Sequence, residues 1–148
     1  MTSLEIVSFA GLLAGTLDLA ATSTVVRAQG VRFEQLLQMI ASGAFGPAAF
    51  KGGKKTAAIG LFFHFLIALT AALIYYAISR RMTALIDYPF FSSVIFGSAV
   101  HLIMSRIVIP LSAAPKRKFS ARAFLTQLLI HVLCVGLPIA LIVSHFSR

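Results

Sequence analysis

Charge is scarce in this chain, and negative charge scarcer still: 11% of its 148 residues are charged, with four Asp or Glu against 13 Lys or Arg. Ordinary soluble domains carry roughly 25% charged residues, so a water-facing surface of normal composition is excluded. Tryptophan is absent. Cysteine occurs once, at Cys134, which rules out an internal disulfide and leaves the redox compartment open. What remains is 59% hydrophobic, with a mean hydropathy of +0.94. These are the properties of an integral membrane protein.

A bilayer span needs about 20 mostly apolar residues. Four stretches qualify: Leu4 to Val26, Ala57 to Ser79, Phe90 to Leu111 and Ala123 to His145. They are continuously apolar, unlike the alternating strands of a membrane barrel, so the expected fold is all-α, a four-transmembrane-helix bundle forming a single domain over residues 1–148. The first stretch is expected to be retained rather than cleaved, since "MTSLE" has no Lys or Arg and the apolar run exceeds a signal-peptide core.

A net charge of +9 invites a nucleic-acid reading, but the basic residues sort by connection. Arg27, Arg32, Lys51, Lys54 and Lys55 lie between spans one and two; Lys116, Arg117, Lys118 and Arg122 lie between spans three and four. The opposite side holds only Arg80, Arg81 and Arg148. The positive-inside rule then places both basic connections in the cytoplasm and both termini outside. Lys54, Lys55, Lys116, Arg117 and Lys118 are expected to meet anionic lipid headgroups, at about 1 kcal/mol each; no nucleic-acid partner is expected.

Within the first connection, "VRFEQLLQMIAS" sets Phe33, Leu36, Leu37 and Ile40 at helical spacing, predicting a short interfacial amphipathic helix over 31–42. The glycine-punctuated "GAFGPAAFKGGKK" that follows reads as a loop or a shallow re-entrant dip. "GGKKT" imitates a phosphate-binding loop but lacks the required upstream glycine, position 49 being Ala, and no strand precedes it. Tyr75 and Tyr76 are expected in the interfacial aromatic belt. Aligning His64 with His131 sets Arg81 against Arg148, suggesting a parallel two-plus-two repeat.

Each span holds an ionisable residue: Asp18, His64, His101 with Arg106, and His131. Such groups cost about 3 kcal/mol on insertion scales and normally face the bundle interior. Gly11, Gly15, Asp18 and Thr22 share one face of span one, and "GLLAG" is a small-xxx-small motif for close helix packing. Gly60 and Ala68 flank His64, Gly97 and Ser105 flank His101, and Gln127, Cys134 and Pro138 accompany His131. At 1.5 Å per residue, His64 and His131 lie about 12 Å deep and Asp18 reaches a similar level from the other side. Arg106, five residues from His101 and on a different face, is expected to pair with Asp18 or to snorkel. Pro138 is expected to kink span four and free the Cys134 carbonyl.

Three functions fit that layer. Histidine and carboxylate groups at membrane depth bind and release protons, which suits a transport-related or proton-handling protein. His64 and His131 as axial ligands to a b-type haem, or His64, His101 and His131 on a metal, would make a redox subunit. Alternatively each imidazole only bonds a neighbouring helix, at about 0.6 kcal/mol, in an assembly protein. Soluble-type enzyme chemistry finds no support, and no catalytic residues are assigned. Four helices enclose little volume, so a homo-oligomer or larger complex is expected, with "GLLAG" as the shared surface.

"AGLLAGTLDLAA", "LLQMIASGAFGPAAFKGG" and "HVLCVGLPIALIV" together resemble the YagU-like family of small four-helix bacterial inner-membrane proteins. That resemblance spans most of the chain, including the Asp18, His64 and His131 positions. It implies the helical fold and the bacterial inner membrane, and it supplies no activity or catalytic residue.

Overall fold

The computed structural model describes residues 1–116 and 118–147; Arg117 and Arg148, counted above among the basic residues, lie outside them. Four helices are long and apolar enough to cross a membrane: α1 (Ser3–Arg27), α3 (Gly53–Ser79), α5 (Pro89–Leu111) and α6 (Ala121–Phe146). Between the first two, α2 (Phe33–Phe45) runs into a 3-10 turn, Gly46–Lys51; a single turn, α4 (Ala84–Asp87), links α3 to α5. No strand occurs among the described residues. The architecture is therefore the expected all-α four-span bundle with a short helix after the first span.

Local chemistry sets the helix ends. Thr2 caps α1 by accepting from the Glu5 N–H (3.3 Å) while the Glu5 carboxylate accepts from the Thr2 N–H (2.8 Å), a reciprocal capping box. Gly30, at φ 81, turns the chain from α1 toward α2, a backbone conformation that costs glycine nothing.

The spans alternate in direction. At one end, Ser3 Oγ and the Tyr76 hydroxyl share a hydrogen bond (2.8 Å), and Ser144 Oγ donates to the Ile86 carbonyl (2.6 Å), gathering both chain ends with the 80–88 connection. At the other end the Ala113 N–H donates to the Gly43 carbonyl (2.9 Å), joining the two basic connections. Lys54, Lys55, Lys116 and Lys118 are exposed there.

α5 and α6 are interrupted helices. A π-turn, with N–H bonding five residues back, occupies Met104–Val108 in one and His131–Gly136 in the other. Ile109 donates to Met104 and Leu137 to Val132; the next residue is Pro110 or Pro138, which has no N–H to give. Widening the turn carries the preceding carbonyls clear of the proline ring. The disturbance associated with Pro138 thus lies on its N-terminal side, over the segment that carries His131.

In the packing, α1 sits between α3 and α6, and α5 lies against α6. Gly11 and Gly15 bring α1 against α3: a Cβ at Gly11 would stand 2.9 Å from Leu69 Cα, and one at Gly15 3.0 Å from the Phe65 ring. "GLLAG" is therefore consumed inside the bundle and is not the surface left for another copy, because both glycines are buried by α3. Gly97 brings α5 onto α6, where a Cβ would stand 2.6 Å from Val132 Cα and 2.7 Å from the His131 carbonyl. Gly60 is the seat of α2: a Cβ there would overlap the Leu37 carbonyl. Part of the apolar face of α2 meets protein, Leu36 and Leu37 being buried with Leu19 and Ala57, while Phe33 stays exposed.

Tyr75 corrects a further expectation. It is fully buried, donates to the Leu85 carbonyl (2.9 Å), bonds Ser92 Oγ (2.7 Å), and stands edge-on to Phe96. It acts as a clamp from α3 to α5 rather than as a belt residue. Its hydroxyl faces satisfied partners, the condition for burying a phenol. Away from this clamp, α3 and α5 make no extensive contact among the described residues.

Candidate functional site

The separation of α3 and α5 leaves a cavity of about 500 Å³ on the side of the two basic connections. Asp18, Thr22, Gln127 and His131 line its back wall from α1 and α6, with His64 beside them on α3. Leu36, Met39, Ile40 and Gly43 of α2 close one end. Apart from Ser112 the remaining lining is apolar, with Leu66 and Ile67 on α3 opposite Val108 and Ile109 on α5. Those four side chains are 40–50% exposed, so they form a rim facing the surroundings of the bundle.

The close contact at Gly15 explains what His64 does. With α1 this near, the His64 Nε2 reaches the Gly15 carbonyl at 2.8 Å. A carbonyl only accepts, so Nε2 carries the proton, and in the neutral ring Nδ1 is left as an acceptor. The same Nε2 lies 4.0 Å from Asp18 Oδ2, too far for a hydrogen bond but within ion-pair range if the ring is protonated. Both side chains are 13% exposed.

Asp18 is the least satisfied group in the site. Among the described residues neither of its oxygens accepts a hydrogen bond, and Oδ1 is buried without a partner. Arg106, expected to pair with Asp18 or to snorkel, does not pair with it: it is exposed, and its guanidinium lies 5.4 Å from the Phe119 ring centre and 5.3 Å from that of Phe124. The π-turn that holds Arg106 adds a residue to its turn and brings it to the ring that His101 also contacts, at 4.6 Å between centres. The two residues expected on different faces thus meet at Phe124.

On α6, His131 Nδ1 donates to the Gln127 carbonyl of its own helix (2.8 Å), which leaves Nε2 as an acceptor in the neutral ring. Gln127 Oε1 accepts from Thr22 Oγ1 at 3.4 Å, a long contact. His101 is set apart from the cavity. It is 4% exposed, its ring centre lies 5.2 Å from that of His131, and its Nε2 is buried without a partner.

The structure therefore gathers Asp18, His64 and His131 with Thr22 and Gln127 and leaves His101 and Arg106 behind them. The three-histidine metal site is not formed: among the described residues no group of three or more His, Cys, Asp or Glu side chains is placed to hold a metal ion. For a haem, the Nε2 through which His64 would bind is engaged by Gly15. Gly136 escaped the sequence reading, although it is packed on Ser93 and Gly97; its signal was the small-xxx-small pair Gly136 and Ala140 inside "GLPIA". No protein-family model matches this chain, nor does any curated protein or solved structure compared with it.

Proposed function

We propose that this four-span membrane protein is a transport-related, proton-handling protein of the bacterial inner membrane, with both basic connections cytoplasmic and both termini outside. The observation that carries the reading is the Asp18–His64 pair on the wall of the cavity: two ionisable groups 4.0 Å apart, nearly buried, with no other ion-pair partner for Asp18 among the described residues. One proton shared by that pair leaves it net neutral, as a protonated carboxyl beside a neutral imidazole or as an ion pair. Removing the proton leaves a single negative charge at membrane depth, which is costly unless compensated. The site thus exchanges protons in a setting where the uncompensated state is disfavoured, the property a coupling site needs.

Distribution of charge supports the sidedness, since the exposed Lys54, Lys55, Lys116 and Lys118 all lie at the end where the cavity is floored by α2. These lysines are placed to meet anionic headgroups. The resemblance to YagU-like proteins agrees with the inner membrane and says nothing of the activity.

Proteoliposomes loaded with a pH-sensitive dye and given a pH step test the reading. Proton flux is expected to exceed that of empty liposomes and to fall to the empty-liposome rate in Asp18→Asn and His64→Ala. Either variant assembling normally and retaining wild-type flux would overturn it. A C-terminal reporter active in the cytoplasm would reverse the sidedness.

A further inference from the structure

We infer that the cavity binds a compact lipophilic amine that enters from the bilayer between α3 and α5, with its ammonium group at the Asp18 carboxylate. This names a substrate class for the transport reading and rests on it, because both require Asp18 to bear the site's charge.

The first support is the sign of the polar wall. His64 and His131 each spend a ring N–H on a backbone carbonyl, at 2.8 Å, so in their neutral forms both offer a bare nitrogen. Gln127 adds an amide whose oxygen accepts from Thr22 Oγ1, and Asp18 adds a carboxylate that accepts no hydrogen bond among the described residues. Among the described lining residues Asp18 is the one acid, and its carboxylate is the acceptor left unfilled. A carboxylate ligand would add a second negative charge beside Asp18; a neutral alcohol would bring no charge to replace the proton that the Asp18–His64 pair shares. An ammonium group supplies both donors and a positive charge that can take that proton's place.

The second support is the shape. The mouth between α3 and α5 is rimmed by exposed Leu66, Ile67, Val108 and Ile109, so the opening is apolar and lies where the spans face lipid. Tyr75 ties α3 to α5 at one end only, and away from that tie the two helices part. The volume of about 500 Å³ is that of a small-molecule site and falls well short of a whole diacyl phospholipid. An apolar body therefore lies along the rim while the charged head reaches the back wall.

Charge balance links the ligand to the proton. With one proton on the Asp18–His64 pair the site is neutral; when an ammonium enters, that proton leaves and neutrality is restored. One proton is released for each amine bound, with no further co-reactant.

The test uses the full chain in phosphatidylcholine nanodiscs, a bilayer without primary amines, and dansylcadaverine as the fluorescent amine. Saturable binding is expected, with proton release seen as a buffer-dependent heat of binding. N-acetylated dansylcadaverine, which has the same ring system but no charge, is expected to bind at least tenfold more weakly, and Asp18→Asn to weaken the amine at least tenfold while bringing the two probes together. Ile67→Trp, which narrows the mouth without touching the acid, is expected to weaken both probes, and it keeps the test decisive if Asp18→Asn fails to assemble. Equal affinity for the two probes, or binding no greater than in empty nanodiscs, overturns the inference. Binding is read at equilibrium without a gradient, so loss of amine binding with intact proton flux refutes the ligand alone, and loss of flux with intact binding refutes the proton-handling reading alone.

Discussion

The α1–α3 half and the α5–α6 half present the same outline, a span toward the basic end and a span back with a histidine in its second helix, but they are built differently. α3 is an unbroken helix, and His64 bonds across to α1, 49 residues away in sequence. Both helices of the second half carry π-turns, and His131 bonds within its own helix, four residues back. In the first half α1 meets α3 at Gly11, against Leu69 Cα, and at Gly15, against the Phe65 ring and Ala68 Cβ; in the second, Gly97 and Gly136 both lie against backbone. A histidine at one sequence position in a two-plus-two alignment is thus a tie between helices in one half and part of a widened turn in the other. The proline seven residues, about two turns, beyond His131, which has no counterpart in α3, accounts for the difference.

The largest expected effect tests the backbone contact. Gly136→Leu puts a side chain into the Ser93 carbonyl and the Gly97 backbone, neither of which yields, and should cost about 3 kcal/mol or more, read as loss of reversible unfolding in mixed micelles or failure to assemble. Gly15→Ala meets side-chain atoms at 3.0–3.1 Å, the Phe65 ring and Ala68 Cβ, and should cost about 1 kcal/mol in the same assay. Gly136→Ala costing no more than Gly15→Ala would erase the distinction between these two contacts.

The clamp joining the halves comes next. Tyr75→Phe removes the hydroxyl that serves both the Leu85 carbonyl and Ser92 Oγ, and a loss of about 1–2 kcal/mol is expected. A labelled pair across α3 and α5 near the mouth should report wider separations by electron spin distance measurement; an unchanged distribution would deny Tyr75 its role in setting the cavity.

Smaller still is the contrast between the histidines. His64→Ala should destabilise the bundle by about 1 kcal/mol and His131→Ala by less, because only the first deletes a bond between helices. The reverse ranking would sink the assignment of His64 as the tie. Pro138→Ala restores an N–H at the end of the π-turn and should change stability by less than about 1 kcal/mol. Its signature is slower amide exchange over 131–137 as the turn tightens, and unchanged exchange would detach the π-turn from the proline.

Much of the site was legible because its polar members violate the composition around them. Asp18, His64 and His131 stand out in apolar spans, and the i, i+4 spacing to Thr22 and from Gln127 put those two on the same faces. The small-residue stripes were legible as contacts, but their partners were not. Nothing in "GLLAG" says whether its neighbour is α3 of the same chain or a second copy, and nothing at Gly60 points to α2. Tyr75 read as an interfacial residue because depth along a helix was known and the direction of the ring was not.

Amino-acid sequence by itself determined that four helices cross the membrane in alternation, since the solvent imposes that choice: a continuous apolar run in lipid satisfies its backbone only as a helix. It also determined which charges lie at one end and which spans carry an ionisable residue. Tertiary structure alone decided who meets whom: that Arg106 turns to Phe119 and Phe124 instead of Asp18, that His101 withdraws behind His131, and that α3 and α5 part to leave the cavity. Those outcomes depend on rotations about helix axes and on contacts between residues far apart in sequence, and each glycine, proline and tyrosine that set them acts through a partner the local pattern does not name.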